Sequence, residues 1–239
     1  MKRVLRWVAA VLLLLVLVVA GAFYLAFGRN KPIVDGLVLA PGVQTVKDGF
    51  VSVFVLDVAP GVVTLIDCGN DKEGKALLGA LRSRGLGPSA VAAIFLTHGH
   101  PDHVAGCKLF PGAQVYAFPE DVPLIGERAK VTHFLKDAEG SNVGGLHVET
   151  FAMPGHTPGS AAYLADGVLF FGDSASGATD GTLMAAVRFF SDNPKQNVAS
   201  LKALAERLRL RANEVKVLAF AHSGPLDGLA PLETFAATH

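Results

Sequence analysis

The sequence predicts an α/β fold in which two β-sheets pack together with helices outside them, preceded by one N-terminal hydrophobic helix. From residue 32 onward, short apolar runs alternate with glycine and proline, a pattern typical of strands joined by turns. Segments with the apolar spacing of helices lie between the later strands. Strands that first follow one another and then alternate with helices indicate an α/β sandwich. The 239 residues, 51% of them hydrophobic, suffice for one domain with a large core.

The N-terminal segment, residues 1–31, is predicted to be a membrane anchor or a signal segment. Residues 7–27 include no charged or strongly polar side chain, and this run is about as long as the ~20 residues that cross a bilayer. A cleaved signal peptide has a shorter apolar region of roughly 7–15 residues, although Ala20-Gly21-Ala22 could be its cleavage site. The length favours the anchor.

The charges that flank this run predict its orientation. More basic residues precede it than follow it, where only Arg29 and Lys31 are close. Because cytoplasmic flanks carry the excess of lysine and arginine, the N-terminus is expected in the cytoplasm. The chain would then be a single-pass membrane protein whose catalytic domain, residues 32–239, lies on the non-cytoplasmic side. Cleavage of the segment would instead release an exported soluble form.

The elements of the second domain follow in order along the chain. Residues 119–144 are polar and interrupted, and they predict a loop or a helical lid near a site. Helices are predicted at 72–84, 194–211 and 229–237. Strands are predicted at 51–56, 62–66, 92–96, 114–118, 147–153, 161–165, 168–171 and 215–220.

Charge and cysteine content exclude some classes of function. Lysine plus arginine equals aspartate plus glutamate, 21 each, and the net charge is zero. This balance gives no electrostatic basis for a nucleic-acid partner. Cys68 and Cys107 are the only cysteines and lack the clustered spacing of a thiolate zinc site. In an exported domain these two cysteines could form a disulfide, but the default interpretation is that they are unpaired, small core residues.

One short motif carries most of the chemical information. The stretch "THGHPDHVAG" places His98, His100, Asp102 and His103 within six positions, where a predicted strand ends and a helix begins. Gly99 and Pro101 alternate with these side chains and suit a tight turn. Imidazole and carboxylate together are the ligands that zinc uses in proteins, and iron and manganese also accept them. The motif therefore predicts a metal site.

Three further polar residues each follow an apolar run at a predicted strand-to-loop junction. Such junctions are the usual location of a site on a rigid sheet scaffold. These residues are His156, Asp173 and His222.

With these motifs, residues 36–225 resemble the metallo-β-lactamase superfamily, and in particular its glyoxalase II and lactonase-like dinuclear hydrolases. The resemblance implies a four-layer αβ/βα sandwich. It also implies a supporting role for Asp67, the aspartate that ends an early strand, outside the ligand set. The implied ligands are His98, His100 and His156 for the first metal, Asp102, His103 and His222 for the second, and Asp173 as the bridge between them.

The resemblance further implies the reaction. Two zinc ions, or iron or manganese in their place, would hold a bridging hydroxide that attacks a small ester, thioester or lactone. Asp102 would be the catalytic residue that orients this hydroxide and passes its proton to the leaving group. The partners expected are thus a small-molecule substrate and, through the N-terminal helix, the membrane. Two alternatives stay open: a mononuclear iron enzyme of the persulfide dioxygenase type, and a catalytically silent binding domain held at the membrane.

Overall fold

The computed structural model describes residues 2–239, except for the side chains of Val4, Leu5, Ala20, Ala22, Leu25 and Ala26. The chain divides into two units, Met1–Asn30 and Lys31–His239. The first unit is built on one helix, α1 (Lys2–Phe27). The second unit contains the sheets and the other helices.

The N-terminal segment forms the predicted helix, but the role assigned to it needs correction. Crossing a bilayer takes about 20 consecutive apolar residues in one helix. In the part of the chain that the structure describes, none of the helices has the length and apolar character that a membrane crossing needs. The predicted membrane anchor, the membrane as a partner and the single-pass location with a non-cytoplasmic catalytic domain are therefore wrong.

The first sheet of the second unit has seven strands in the order in which they occur in the chain. Its first four strands pair antiparallel, and the last four pair parallel. The strands are β1 (Val38–Ala40), β2 (Val43–Asp48), β3 (Val51–Ala59), β4 (Val62–Ile66), β5 (Val91–Phe95), β6 (Gln114–Ala117) and β7 (His133–Phe134).

The second sheet has six strands, and a separate two-stranded hairpin accompanies it. Its only parallel pair among the described strands joins β11 (Val168–Phe170) to β14 (Val217–Ala219), and the others pair antiparallel. In spatial order the strands are β15 (Leu226–Asp227), β14 (Val217–Ala219), β11 (Val168–Phe170), β10 (Ala161–Ala165), β9 (Leu146–Ala152) and β8 (Gly140–Val143), and the hairpin is β12 (Ala175–Gly177) with β13 (Leu183–Ala185).

The remaining helices lie between these strands along the chain, except the last one, α6 (Ala230–Thr238), which follows β15. The longest of them, α5 (Pro194–Leu208), starts after Asn193, whose side chain accepts a hydrogen bond from the backbone N–H of Gln196, with Pro194 in the first turn. Short 3-10 helices cover 88–90, 107–109, 119–121, 126–128, 188–190 and 209–214. The α-helices are α2 (Lys75–Ser83), α3 (Pro101–Val104), α4 (Val122–Ile125), α5 (Pro194–Leu208) and α6 (Ala230–Thr238).

Three apolar clusters hold these elements in four layers. The inner cluster lies between the sheets, where the rings of Phe54 and Phe170 are 5.0 Å apart. A second cluster packs Leu77 of α2 onto the first sheet. A third packs Leu201 of α5 and Phe235 of α6 onto the second sheet. Because each sheet buries one face on its partner and the other under helices, the order is helix, sheet, sheet, helix, and the predicted four-layer α/β sandwich is confirmed.

Candidate metal centre

The candidate site lies in the loops that follow strands of both sheets. His98 comes three residues after β5, and Asp67 directly follows β4 in the first sheet. From the second sheet, His156, Asp173 and His222 follow β9, β11 and β14 within four residues. The carboxyl ends of these strands therefore bring together residues that are far apart in sequence.

The motif at 98–103 forms a tight turn into a short helix. His100 has extended backbone angles, φ −65° and ψ 150°, and Pro101 opens α3 directly after it. Proline suits this first helical position because its missing N–H would have no partner there. The helix then carries Asp102 and His103, so one turn separates two groups of potential ligands.

The first group consists of His98, His100, His156 and Asp173, each of which offers one ligand atom within 4.8 Å of the others. His98 Nε2 lies 3.0 Å from His100 Nδ1 and 3.2 Å from His156 Nε2. His156 Nε2 lies 3.0 Å from His100 Nδ1. Asp173 Oδ2 lies 3.5 Å from His156 Nε2.

The second group consists of Asp102, His103 and His222, again with ligand atoms within 4.8 Å of one another. Asp102 Oδ2 lies 3.3 Å from His222 Nε2 and 3.8 Å from His103 Nε2. Asp173 reaches this group as well, with Oδ1 at 3.2 Å from His103 Nε2 and Oδ2 at 3.1 Å from His222 Nε2. Its carboxylate therefore lies between the two groups.

For four of the five candidate ligand histidines, a hydrogen bond behind the ring sets which nitrogen faces the centre. Thr97 Oγ1 donates to Asp67 Oδ2 and can therefore accept from His98 Nδ1, at 2.7 Å and 3.1 Å. His103 Nδ1 donates to the same Asp67 oxygen at 2.8 Å. His222 Nδ1 donates to the carbonyl of Phe50 at 3.0 Å. With Nδ1 protonated, the Nε2 atoms of these rings present lone pairs to the centre.

His156 follows the same rule with a different partner. Ser191 Oγ donates to the Val187 carbonyl at 2.9 Å, so it can accept from His156 Nδ1, which lies 3.4 Å away. His98 Nε2 and His156 Nε2 are then both acceptors, 3.2 Å apart. Two facing lone pairs repel each other unless a cation lies between them, so this geometry fits a metal ion.

The centre contains two further signs that it suits a cation. His103 Nε2 and Asp173 Oδ1 are buried and lie 3.2 Å apart, but neither atom makes a hydrogen bond of normal geometry among the described residues. Buried polar atoms are rarely left in this way, because each costs about 1–3 kcal/mol. Asp67, which holds His103, has a left-handed backbone with φ 63°, a conformation that an aspartate adopts rarely and often at functional sites.

The electrostatics of the two groups differ. Burial, together with neighbouring histidines, holds the pKa of His98 well below its usual value and lowers the pKa of His156 to about 4. Burial also opposes the charge of His103 and His222, but nearby carboxylates outweigh it. The pKa of His103 is therefore well above its usual value, and that of His222 rises to about 10. Burial raises the pKa of Asp173, yet His222 and His103 hold it well below its usual range.

Comparison with known proteins identifies the family. The sequence profile described as the metallo-beta-lactamase superfamily matches residues 46–222, more than half of the chain. The chain belongs to the metallo-beta-lactamase superfamily. The prediction of this family from the motifs is confirmed.

Curated relatives of this superfamily member are named hydroxyacylglutathione hydrolase. The protein from Aeromonas hydrophila subsp. hydrophila is 38% identical over 117 residues, which are 47% of this chain and 42% of that protein. The protein from Citrobacter koseri is 32% identical over 157 residues, 64% of this chain and 56% of that protein. The matched regions thus span about half the length of these relatives. Their names agree with the prediction of a metal-dependent hydrolase.

Solved structures support the fold. A metallo-beta-lactamase family protein from Thermus thermophilus has a TM-score of 0.64 and 25% identity, covering 84% of this chain and 80% of that one. An archaeal metallo-beta-lactamase superfamily protein from Sulfolobus tokodaii has a TM-score of 0.59 and 22% identity, covering 82% and 85%. At this identity, the second likeness concerns the fold alone.

The disulfide next to the centre corrects another prediction. Cys68 and Cys107 form a disulfide with their Cα atoms 5.1 Å apart, so the default interpretation as unpaired core residues is wrong. The bond joins the turn after Asp67 to the segment after α3, and Cys68 N–H also donates to the His103 carbonyl at 2.7 Å. Sequence could not give the distance between these two segments, because the fold alone brings them together.

The structure thus brings all seven predicted ligands into two adjoining groups, with Asp67 behind them. Sequence reasoning missed the side chains and carbonyls that orient the rings, namely Thr97, Ser191 and the backbone of Phe50. Thr97 directly precedes His98 in the motif, but its residue type does not indicate this role.

Proposed function

We propose that residues 32–239 form a dinuclear metallohydrolase that cleaves a small ester, thioester or lactone. The observation that carries this proposal is the pair of adjoining ligand groups with the Asp173 carboxylate between them. Because the Asp173 carboxylate contacts both groups, the geometry supports a site for two metal ions rather than one. The similarity to hydroxyacylglutathione hydrolases supports a thioester or related acyl compound as the substrate.

The ligands divide between two cations in this proposal. The first cation would be held by the nitrogens of His98, His100 and His156. The second would be held by Asp102, His103 and His222, while Asp173 contributes to both. Nitrogen and carboxylate donors without thiolate suit zinc, and they also accept iron and manganese.

Two cations held by these residues would supply a hydroxide nucleophile near neutral pH and would polarise the substrate carbonyl. The chain's own contribution is orientation and proton handling. Asp67 holds His103 directly and His98 through Thr97, which fixes the tautomer and tilt of one ring in each group.

Asp102 is the proposed proton carrier. Its side chain is 22% exposed, more than those of Asp173 and His222 beside it. Burial opposes its ionisation, but the hydrogen bond with His222 and the charge of His103 lower its pKa. An ionised carboxylate at the open side of the centre can accept the proton of the attacking water and hand it to the leaving group.

The test combines metal content with a substrate panel. The purified full-length chain is analysed for zinc, iron and manganese, and then assayed on lactones, thioesters, phosphodiesters and a β-lactam. The expected result is two metal ions per chain, with hydrolysis of an ester, thioester or lactone that is lost on chelation. Asp102→Asn should lose most of the turnover and should also weaken metal binding in the second group, because Asp102 is one of its proposed ligands. One iron per chain with oxygen consumption would favour the persulfide dioxygenase alternative, and absence of bound metal would contradict the proposal.

A further inference from the structure

Outside the ligand groups, one buried carboxylate is not explained by the proposed chemistry. Asp121 ends a 3-10 helix at 119–121, directly before α4, and its residue is only 1% exposed. Burying a carboxylate in this way is costly unless hydrogen bonds compensate for the lost water. The positions of its hydrogen-bond donors therefore indicate what the side chain does.

The carboxylate of Asp121 joins the two turns that carry the first ligand group. Oδ2 accepts from the backbone N–H of Gly99 at 2.7 Å and from Thr157 Oγ1 at 2.8 Å. Oδ1 accepts from the backbone N–H of Gly159 at 2.7 Å. Gly99 lies between His98 and His100, while Thr157 directly follows His156. One carboxylate thus connects a turn from the first sheet to a turn from the second.

The glycines of these turns permit the close approach. A Cβ added to Gly159 would lie 2.8 Å from Asp121 Oδ1 and 2.7 Å from its backbone nitrogen. A Cβ added to Gly99 would lie 2.9 Å from the Ile125 nitrogen and 3.1 Å from the Asp121 carbonyl. At each of these glycines at least one distance is below 3.0 Å, which is too short for a Cβ, so both turns require glycine to reach the segment around Asp121.

We infer that Asp121 is a positioning residue that sets the distance between the His98–His100 turn and the His156 turn, and so pre-organises the first metal group. It contacts no ligand side chain and no reacting atom. Its effect passes through the backbone of Gly99 and the hydroxyl of Thr157. The inference rests on the proposed function for the identity of the ligands, and it assigns Asp121 to the first group only.

The decisive variant is Asp121→Asn. Asparagine keeps the size of the side chain but offers one oxygen in place of two, so one of the two turns loses its acceptor and faces an NH₂ donor instead. Loss of such supporting contacts typically weakens metal binding by roughly 10–100-fold. We expect the first group to lose affinity by that factor.

The measurement isolates the first group in a full-length His222→Ala background, which removes one ligand of the second group. Cobalt(II) affinity is measured by chelator competition, and the visible spectrum reports the geometry of the bound ion. Asp48→Asn is the matched control. Asp48 is also buried, and it also accepts backbone hydrogen bonds, from Asn70 and Asp71, which lie outside the first group.

The expected result is weaker cobalt binding and an altered spectrum in Asp121→Asn, with both unchanged in Asp48→Asn. Equal affinity and spectrum in parent and Asp121→Asn would overturn the inference. If Asp121→Asn does not fold, the same measurement is made on Thr157→Val, which replaces the hydroxyl that donates to Asp121 Oδ2. Weaker binding in that variant supports the inference, and unchanged binding overturns it. A parent that binds no cobalt would contradict the proposed function itself.

Discussion

Metal binding to the two ligand groups is expected to depend differently on pH, because His98 and His156 in the first group are neutral before metal binds, whereas the two histidines of the second group are protonated. Burial and neighbouring histidines keep His98 neutral, and they lower the pKa of His156 to about 4. In the second group, the carboxylates overcome burial and raise the pKa of His222 to about 10 and that of His103 well above its usual value.

The size of the difference follows from proton competition. A histidine binds metal only without its proton, so each raised pKa weakens metal binding at every pH below that pKa. For His222 at pH 7.5, removing the proton costs on the order of 3 kcal/mol. For each proton displaced, affinity rises about tenfold per pH unit. Between pH 7 and 8 the second cation should therefore bind about 100-fold more tightly if both protons are displaced, whereas His98 and His156 add no such dependence.

The assay is a zinc titration of the metal-free, full-length chain against a chromophoric chelator between pH 6.5 and 8.5. Calorimetry in buffers of different ionisation enthalpy counts the protons released at each step. His222→Gln is the control, because it should remove about one proton from the second step and leave the first unchanged. Two steps with the same pH slope, or a second step that releases no proton, would refute the assignment of protonated histidines to the second group.

Three other predictions test the remaining parts of the centre. Asp173→Ala should lower metal occupancy at both groups and reduce turnover by at least ~100-fold, as measured by elemental analysis and kcat; two retained metals with near-parental turnover would remove Asp173 from the site. The Tm of the metal-free chain should fall, on the order of 5–10 °C, as pH rises from about 7 through 10. The reason is that the raised pKa of His222 contributes stability that is complete below its usual pKa of 6.5 and is lost above its folded-state pKa of about 10. Scanning calorimetry should find that loss reduced in His222→Gln, and an equal loss in both proteins would contradict the explanation. Replacing Cys68 and Cys107 by serine removes a disulfide that spans a sequence separation of 39. A disulfide over this separation stabilises the folded state by about 4 kcal/mol, so the Tm should fall by roughly 10 °C. An unchanged Tm would show that the disulfide adds no stability.

The fold was predictable because its signals are local and repeated. The strand and helix periodicities located most elements, although α2 begins at Lys75 rather than at 72, since Gly74 before it has a left-handed backbone with φ 60°. The segment 119–144 was predicted as a loop or lid, but it contains α4 and two strands, β7 and β8. The pairing of β7 with β6 places a two-residue strand at a sheet edge, and so short a strand leaves no periodic pattern in the sequence.

The candidate centre was predictable to the extent that its chemistry is concentrated in one motif. His98, His100, Asp102 and His103 stand together in the sequence, whereas the three later ligands were placed by their strand ends and by family resemblance. Thr97 and Asp121 carry no comparable signal, because a threonine or an aspartate in a turn is common in any sequence. Their roles depend on contacts between segments far apart in the chain, and those contacts exist only after folding.

The two buried aspartates divide the support of the centre between them. Asp67 bonds to His103 and, through Thr97, to His98, so it supports one ring in each group. Asp121 bonds only to the turns of the first group. A disturbance at Asp67 should therefore reach both groups, whereas one at Asp121 should remain in the first. His222 of the second group is also held by the Phe50 carbonyl and by two carboxylates, so the first group is expected to depend more on the backbone positioning that Asp121 provides.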